Sequence, residues 1–425
     1  MRKHWLSTLV TTFGLIGALA LTPASAQSPE EFYKGKTVTI YVGYSPGGGY
    51  DTYARTVARQ IGKHIPGNPT IIVKNEPGAG SMKLTNELYN SLPQDGTALG
   101  IIGRGMPMEP LFGSDLAKFE PAKFNWIGSA NNEVSICVSW HTSNIKTWED
   151  LKTTPMFVGG TGTGADTDTF PRVMNNLLDT KLKLITGYPG GNDVLLAMER
   201  GEVEGRCGYS WSSAKSRKAD WLAEGKMNVL IQMSTGKHED LPDVPLIIDL
   251  AKDDDDRAAM ELIFARQEFG RPFLAPPNVP ADRVEALRAA FMATMKDPEF
   301  LEDAKKQDLE IAPVGGKRIG ELIANIYKAP PDIIKRAKEA SERDDRIEIT
   351  EVKVELMKIS GAVTEVESGG RVIHIGDKSA GISGSRTKLT IGGNSGDRAN
   401  ITVGMNCEAE LTGDNGSEAT MVSCN

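Results

Sequence analysis

The sequence predicts an α/β protein with two mostly parallel sheets, followed by a small all-β module. From Lys36 to about Ala340, short β-branched segments alternate with glycine-rich turns and helical segments, which is typical of parallel sheets with crossover helices. The alternation begins a second series beyond Trp126, and after Arg346 the composition changes to Thr, Val, Ile, Gly and Ser. The chain has 425 residues, 40% of them hydrophobic, which is enough for more than one buried core.

The first 26 residues have the pattern of a secretory signal peptide. Arg2 and Lys3 precede an apolar run from Trp5 to Leu21, and residues 24–26 (Ala-Ser-Ala) form a small-residue cleavage site. A membrane anchor is the alternative, but polar residues interrupt the run and it is short for a span of about 20 residues. We therefore expect cleavage after Ala26 and a periplasmic protein.

Charge and cysteine usage exclude two classes of partner. The net charge is −8, so no basic excess is available for nucleic acid. No C-x-x-C motif exists and the histidines are scattered, so no metal site is predicted. Cys407 and Cys424 share the C-terminal segment and are expected to pair. For Cys137 and Cys207, a cross-strand disulfide and two buried thiols remain open.

The first α/β unit begins with a strand at Thr37–Tyr44. The turn at 45–49 (SPGGG) ends it, and apolar residues at helical spacing follow from Tyr50 to Ile65. The pattern repeats in the strand Pro69–Val73, the loop Asn75–Gly80 and a helix from Ser81, and a third strand spans 98–102.

The second unit repeats the same order of strand, glycine-rich turn and helix. Its predicted strands are 134–138, 156–158, 182–186 and 203–209, and its helices are 169–178 and 192–200. A second α/β unit implies a cleft between the two, because ligands of open sheets bind beyond the carboxyl ends of the strands.

These patterns give the predicted domain boundaries. Residues 27–130 and 232–340 form a discontinuous first domain, 131–231 the second domain, 341–346 a linker and 347–425 the all-β module, which we expect to be barrel-like. Within the module, strands are predicted at 372–375, 388–391, 401–403, 407–411 and 421–424.

The strand, glycine-rich loop and helix start recur at Ser45–Tyr50, Asn75–Ser81 and Gly159–Ala165. A helix start presents unpaired backbone N–H groups and a partial positive charge, and glycine lets the backbone approach an oxygen atom closely. Any one of these loops can be an ordinary turn. Three of them together predict an anion site.

Two other functions are weighed against this one. Gly160, Gly162 and Ala165 match a dinucleotide-binding pattern, but the following strand 182–186 is not closed by an acidic residue. Neither G-x-S-x-G nor H-E-x-x-H occurs, so no recognisable catalytic set supports an exported hydrolase. No cofactor is expected, and the chain is not predicted to be an enzyme.

Seven stretches carry a resemblance to a known family. They are YSPGGGYDTYARTVARQI, VKNEPGAGS, DGTALGIIG, VGGTGTGAD, GYPGGNDVLLAMERGEVEG, LPDVPLI and FLAPPNVPADRVEALRAAF. In their order and spacing, residues 30–340 resemble the solute-binding receptors of tripartite tricarboxylate transporters, the Bug-type family. The resemblance implies a two-domain periplasmic-binding-protein clamshell of type II-like form that closes on a small carboxylate and delivers it to membrane subunits.

The resemblance also implies which loops hold the ligand. The PGGG loop and the turn 161–165 match the family loops around one carboxylate, and residues 190–193 match the helix start on the wall of the second domain. The chain departs from the family at Tyr188-Pro189 and at Arg206–Trp211. The predicted ligand-binding residues are Tyr44, Ser45, Pro46, Gly47, Gly48, Gly49, Tyr50, Gly78, Ala79, Arg104, Thr161, Gly162, Thr163, Gly164, Ala165, Asp166, Tyr188, Gly190, Gly191, Asn192, Asp193, Arg206, Tyr209 and Trp211.

Arg104, Arg206, Tyr209 and Trp211 are the candidates for the far end of the ligand, because Arg pairs with a second carboxylate and aromatic rings cover hydrocarbon. For these side chains, a surface ion pair or core packing stays an open alternative. We expect a monomeric receptor for a di- or tricarboxylate or an aromatic acid. A sensor that presents its ligand to a signalling receptor is the second possibility.

Overall fold

The computed structural model describes residues 27–352, 357–383, 387–411 and 419–425. The predicted signal peptide, residues 1–26, lies outside the described residues. Among the helices that are described, none has both the length and the apolar composition needed to span a bilayer.

The regular elements are numbered in chain order. The strands are β1 (Thr37–Val42), β2 (Thr70–Asn75), β3 (Ala98–Ile101), β4 (Asn125–Ser129), β5 (Ser135–Trp140), β6 (Met156–Gly159), β7 (Leu182–Thr186), β8 (Gly205–Ser210), β9 (Met227–Met233), β10 (Pro272–Ala275), β11 (Val314–Gly315), β12 (Ile349–Glu351), β13 (Met357–Glu367), β14 (Val372–Ile375), β15 (Lys378–Gly381), β16 (Lys388–Ile391), β17 (Asn394–Ser395), β18 (Asn406–Leu411) and β19 (Ala419–Cys424). The helices are α1 (Pro29–Tyr33), α2 (Gly49–Ile61), α3 (Met82–Asn90), α4 (Glu109–Phe112), α5 (Asp166–Leu178), α6 (Gly191–Glu199), α7 (Trp211–Arg217), α8 (Ala219–Ala223), α9 (Asp254–Phe264), α10 (Ala281–Thr294), α11 (Pro298–Lys306), α12 (Gly316–Ile326) and α13 (Pro331–Glu342).

The first sheet has the strand order β11-β4-β10-β3-β1-β2, and we call the unit built on it the first lobe. β1 pairs in parallel with β2 and β3, whereas β10 runs antiparallel between β3 and β4. The alternation of buried and half-exposed residues along β1 directs Val38, Ile40 and Val42 into the core, where the apolar face of α2 covers them.

The second sheet has the order β12-β7-β6-β8-β5-β9 and forms the second lobe. Both lobes are α/β with mixed sheets, as the sequence predicts in outline. The aspartate run 253–256 lies at the start of α9, where Asp253 accepts from the Asp256 N–H at 2.8 Å and caps the helix.

Two predicted boundaries are wrong. β12 was expected in the C-terminal module, but it extends the second sheet by pairing in parallel with β7. Helices α9 and α13 were assigned to the first domain, yet they pack on α5 of the second lobe. The Phe264 ring of α9 lies 4.9 Å from the Phe170 ring of α5. The Asn176 side-chain amide of α5 donates to the Ala340 carbonyl of α13 at 3.0 Å. Apolar surface on α5 is covered by segments distant in sequence, which local patterning does not indicate.

The C-terminal module is one sheet of order β15-β14-β13-β18-β19-β16-β17 with its own buried cluster. The predicted strands 372–375 and 388–391 are confirmed, and 407–411 and 421–424 lie inside β18 and β19. The strand expected at 401–403 is wrong, because a 3₁₀ turn at Arg398–Asn400 redirects the chain and no ladder pairs with it. Within the described residues β15 and β17 end the sheet, so the expected barrel is not closed there.

Both candidate disulfides are present. Cys137 of β5 bonds Cys207 of β8, and these are directly paired residues of neighbouring strands. Cys407 of β18 bonds Cys424 of β19 in the same way. The cross-strand alternative for Cys137 and Cys207 is therefore the one that the structure contains.

Candidate functional site

A cleft between the lobes has a volume of about 680 Å³, which includes solvent space at its open mouth. Helices α2, α5 and α6 begin at its walls, after Gly48, Ala165 and Gly190 respectively. None of these three N-caps makes a side-chain hydrogen bond to its helix. Backbone N–H groups at these starts are therefore available to an anion, as the sequence predicts.

The glycines bring the starts of α2 and α6 together across the two lobes. A Cβ built on Gly48 would lie 3.9 Å from the backbone nitrogens of Gly191 and Asn192 and touch nothing closer. Gly47 has φ +83°, a conformation that disfavours other residues, and Gly49 lies against Ser213 of α7. Two helix starts from different lobes thus face the same part of the cleft.

More than half of the predicted site residues line this cleft. They are Tyr44, Gly47, Gly48, Gly49, Tyr50, Arg104, Thr161, Ala165, Asp166, Gly191, Asn192, Arg206 and Tyr209. The rings of Tyr44 and Tyr50 are stacked at 4.7 Å, and the Tyr44 hydroxyl donates to the Gly80 carbonyl at 3.0 Å.

Other predicted residues do not line the cleft; they join the lobes beside it or lie in a core. The Ser45 hydroxyl donates to Asp193 Oδ2 at 2.5 Å, and the Gly80 N–H donates to the Thr161 carbonyl at 2.9 Å. Tyr188 and Trp211 belong to the buried cluster of the second lobe. The residues that do not line the cleft are Ser45, Pro46, Gly78, Ala79, Gly162, Thr163, Gly164, Tyr188, Gly190, Asp193 and Trp211.

The loop 75–81 was predicted to bind the anion together with the other two glycine-rich loops. It instead packs on the turn 161–164, where a Cβ on Gly162 would lie 2.6 Å from the Gly80 nitrogen. Gly80 therefore allows the two lobes to approach each other closely. Of the three predicted loops, those before α2 and α5 line the cleft, and the start of α6 lies there with them.

Arg104 lies on the floor of the cleft and is already paired. Its Nε is 2.6 Å from Asp166 Oδ2, and Nη2 donates to the hydroxyls of Ser135 and Ser210 at 2.8 and 3.2 Å. Burial alone would lower the pKa of Arg104, but the attractions of Asp166, Tyr50 and Glu133 together outweigh burial and raise that pKa above its usual range. Two residues predicted to bind ligand thus neutralise each other across the lobes.

Arg271 is a second paired arginine, and it was missed in the sequence. Its Nη2 lies 3.1 Å from Glu133 Oε2 and donates to Ser213 Oγ at 2.8 Å. The guanidinium also lies over the ring of Tyr50 at 4.7 Å. Arg271 precedes β10, whose antiparallel direction brings its amino end to the carboxyl edge of the neighbouring parallel strands.

Arg206 and Arg217 have no carboxylate partner within 4 Å among the described residues. Arg206 is half-buried beneath the start of α6, where its Nη1 donates to the Gly191 carbonyl at 3.0 Å. Its Nε is buried without a hydrogen-bond partner. Removal from water lowers the pKa of Arg206 to about 10. Arg217 is exposed at the cleft mouth near Gly47.

The remaining lining residues were not predicted from the sequence. Ser213 and Arg217 are one turn apart on α7, directly after β8, so their position at the carboxyl edge of a strand was the available signal. The cleft-lining residues that were missed are Gly103, Gly105, Thr167, Leu195, Gly208, Ser210, Ser213, Arg217 and Arg271.

A possible metal-ligand cluster lies elsewhere between the lobes. His238, Asp240 and Glu310 place ligand atoms within 4.8 Å of one another. The Lys215 ammonium, however, already forms ion pairs with both carboxylates. An ion would have to displace this lysine, so the cluster is better described as an ion-pair network between the lobes.

Comparison with known proteins gives one family and one fold. The sequence profile of the tripartite tricarboxylate transporter family receptor, TctC, matches residues 53–338. A UPF0065 protein of Agrobacterium vitis is 24% identical over 308 residues, which are 71% of this chain and 81% of the relative.

Solved structures share the fold at low identity. The periplasmic binding protein BugD is 19% identical with a TM-score of 0.60, over 75% of this chain and 100% of that one. MatC from Rhodopseudomonas palustris with bound malate is 18% identical with a TM-score of 0.56, over 72% and 99% of the two chains. An R. palustris protein with adipate is 14% identical with a TM-score of 0.57, over 71% and 97%.

Proposed function

Because this chain belongs to the tripartite tricarboxylate transporter receptor family, whose members are periplasmic solute-binding proteins, we propose that it binds a small organic carboxylate in the cleft between its lobes. It then delivers this solute to the membrane subunits of a tripartite transporter. Residues 1–26 direct export and are removed after Ala26. The observation that carries the proposal is the convergence of two uncapped helix starts, α2 and α6, on a cleft that also contains Arg206.

The physical argument for a carboxylate is electrostatic. Two helix starts supply N–H donors and partial positive charge, and each charge-assisted hydrogen bond contributes about 1.5 to 3 kcal/mol. Three or four such bonds support micromolar binding, which requires about 8 kcal/mol. The acids of both first turns have partners already, since Asp51 pairs with Arg55 and Asp193 accepts from Ser45. The malate and adipate bound in two proteins of the same fold are consistent with this ligand class.

Domain closure is the mechanism that fits the geometry. Side chains of the two lobes contact each other around the cleft, at Ser45 with Asp193 and at Arg104 with Asp166. A ligand that bridges the starts of α2 and α6 contacts both lobes only when they are closed. Binding therefore shifts the population toward the closed form that a transporter recognises.

The first test is a binding measurement on residues 27–425. Native mass spectrometry of the freshly purified protein, followed by thermal shift against mono-, di- and tricarboxylates, identifies the ligand class. A ligand at about 100 times its Kd adds about 2.7 kcal/mol of stability and raises Tm. If no acid binds and a compound is instead converted, the receptor function is wrong and the cleft is an active site.

The variant Gly48→Val tests whether the ligand binds between the starts of α2 and α6. Gly48 has φ −81°, which valine adopts, and its Cβ would enter the space between the two helix starts without a clash. We expect the unliganded Tm to change little and carboxylate binding to fall at least tenfold. Gly315→Val is the matched control, because Gly315 caps α12 with φ −70° and has nothing within 4 Å of its Cβ. Equal affinity in both variants would remove the site assignment.

A further inference from the structure

A carboxylate of the first lobe is held by the second lobe at a point outside the cleft. Glu310 lies in the loop between α11 and β11, and its Oε1 forms an ion pair with the Lys215 ammonium of α7. His238 Nε2, also of the second lobe, lies 3.3 Å from the same oxygen. The Asp240 N–H donates to His238 Nδ1 at 3.0 Å, so neutral His238 carries its proton on Nε2, which faces Glu310.

Opening the lobes breaks one contact of Lys215 and keeps another. Asp240 Oδ2 lies 2.6 Å from the Lys215 ammonium, and it also accepts from the indole N–H of Trp211 at 2.9 Å. Asp240 and Trp211 both belong to the second lobe, so this contact survives when the lobes separate. Lys305 and Asp308 line the adjoining groove, and because they have opposite charges they add no net charge beside the ion pair.

The ion pair between Lys215 and Glu310 connects two helices that line the cleft. Lys215 lies two residues from both Ser213 and Arg217, which line the cleft, so it projects from the other side of α7. The Glu310 carbonyl accepts from the hydroxyl of Tyr53, a residue of α2, at 2.8 Å. The ion pair therefore fixes the position of α7 relative to α2 without entering the cleft.

We propose that Lys215 and Glu310 form a latch that stabilises the closed lobes and thereby raises the affinity for the ligand. Apparent affinity increases with the population of the binding-competent form, so a contact made only in the closed form strengthens binding from a distance. Glu310 is in this sense a positioning residue, because it acts through closure and does not line the cleft. The inference rests on the proposed function, since it assumes that closure and carboxylate binding are linked.

Glu310→Gln tests the latch, and Glu302→Gln is its matched control. The first variant removes the charge that reaches the opposite lobe, whereas Lys215 keeps its ion pair with Asp240. Glu302 of α11 pairs at 2.7 Å with Lys306 of the same helix, so its loss leaves the latch unchanged.

Isothermal titration calorimetry on residues 27–425 measures the effect, with malate, succinate and adipate as the probes. For the acid that the wild type binds most tightly, we expect Kd to rise about three- to tenfold in Glu310→Gln and to stay unchanged in Glu302→Gln. Equal Kd values for Glu310→Gln and the wild type would overturn the latch and leave carboxylate binding intact.

Rate constants and a double variant separate a latch from a defect in folding. Because the latch forms after the ligand has entered, Glu310→Gln should release the acid faster and keep its association rate constant within about twofold. Lys215→Met should also weaken binding, and Lys215→Met/Glu310→Gln should weaken it by less than the product of the two single effects. Slower association with unchanged dissociation, or effects that simply multiply, would overturn the latch.

Small-angle X-ray scattering tests the latch without a ligand. If the wild type binds none of the three acids, that result counts against the proposed function. The unliganded chains are then compared at low ionic strength, where ion pairs are least screened. Glu310→Gln should give a larger radius of gyration than the wild type and Glu302→Gln. Equal radii of gyration in that case would overturn the latch as well.

Discussion

Gly49 is a residue at which the two lobes contact each other directly. A Cβ at this position would lie 2.1 Å from Ser213 Oγ of the second lobe and 2.9 Å from Arg271 Nη2 of the first lobe. For the neighbouring Gly48, by contrast, no atom lies closer than 3.9 Å to the position of a Cβ. Two neighbouring glycines of one loop therefore differ: Gly48 borders open space in the cleft, whereas Gly49 leaves room for the opposite lobe.

We expect Gly49→Ala to hold the lobes apart. The added methyl group meets the second lobe before closure is complete, so affinity for the carboxylate falls at least tenfold while the unliganded Tm changes little. At saturating concentrations of the ligand that the wild type binds, small-angle X-ray scattering should give a larger radius of gyration for the variant than for the wild type. Gly320→Ala is the control, since Gly320 is inside α12 with nothing within 4 Å of its Cβ. A variant that closes and binds normally would contradict this role of Gly49.

Asp297 gives a prediction for the dependence of stability on pH. It caps α11, and the ammonium of Lys63, together with His64 and two backbone N–H groups, holds the pKa of Asp297 well below its ordinary value of 3.8, although burial opposes this. A lowered carboxylate pKa adds stability that is present above pH 3.8 and is lost as the pH falls below it.

Asp297→Asn keeps a capping oxygen and removes the charge. The variant should melt below the wild type at pH 7, and the difference in Tm should shrink as the pH falls below about 4. Thermal melts between pH 7 and pH 3 check this. A difference in Tm that stays constant over this range would show that the charge of Asp297 contributes nothing.

Among the elements, β5 and β8 are joined both by a ladder and by the bond between Cys137 and Cys207, which are 70 residues apart in sequence. In the chain-entropy account, closing a loop of this length stabilises the folded state by about 4 kcal/mol. The double variant Cys137→Ala/Cys207→Ala should lower the free energy of unfolding of the second lobe by up to that amount. Urea unfolding followed by the fluorescence of Trp140 and Trp221, which pack together in this lobe, measures it.

The second disulfide provides the comparison. Cys407 and Cys424 are 17 residues apart and lie in the module, so Cys407→Ala/Cys424→Ala should leave the urea transition of the second lobe and carboxylate affinity unchanged. An equal shift of the lobe transition in both double variants would mean that the module and the lobe unfold together.

Local patterns allowed most elements to be predicted, and pairings between distant segments account for what was missed. The strand, glycine-rich turn and helix order gave β1, α2, β7 and α6 within a few residues. The short strand β12 could not be placed, because three residues carry no signal for the edge of a distant sheet. Arg104 was correctly placed in the cleft, but its pairing with Asp166 depends on how the lobes meet. Arg271 was missed because the antiparallel direction of β10 is not encoded in its four residues.

At the scale of the whole molecule, the two lobes and the module differ in how they are connected. The lobes share a buried cluster and exchange ion pairs and hydrogen bonds around the cleft. Between the described residues of the lobes and those of the module, there is no hydrogen bond or ion pair. The module has its own core and its own disulfide. We infer that ligand capture belongs to residues 27–352, with the module as an independent unit.

Two truncations that differ by six residues test this division. A chain ending at Val352 keeps β12 and its contacts with β7. The Leu184 N–H donates to the Glu348 carbonyl at 2.8 Å, and the Val352 N–H donates to the Thr186 carbonyl at 2.7 Å. We therefore expect its carboxylate affinity to stay within twofold of that of the full chain. A chain ending at Arg346 loses β12 and the buried Ile347, which exposes the edge of β7. Loss of the buried isoleucine and of these two hydrogen bonds corresponds to about 2.5 to 6 kcal/mol, so this chain should melt clearly lower. If the chain ending at Val352 loses affinity as well, the module takes part in closure, because the two lobes of that chain are otherwise complete.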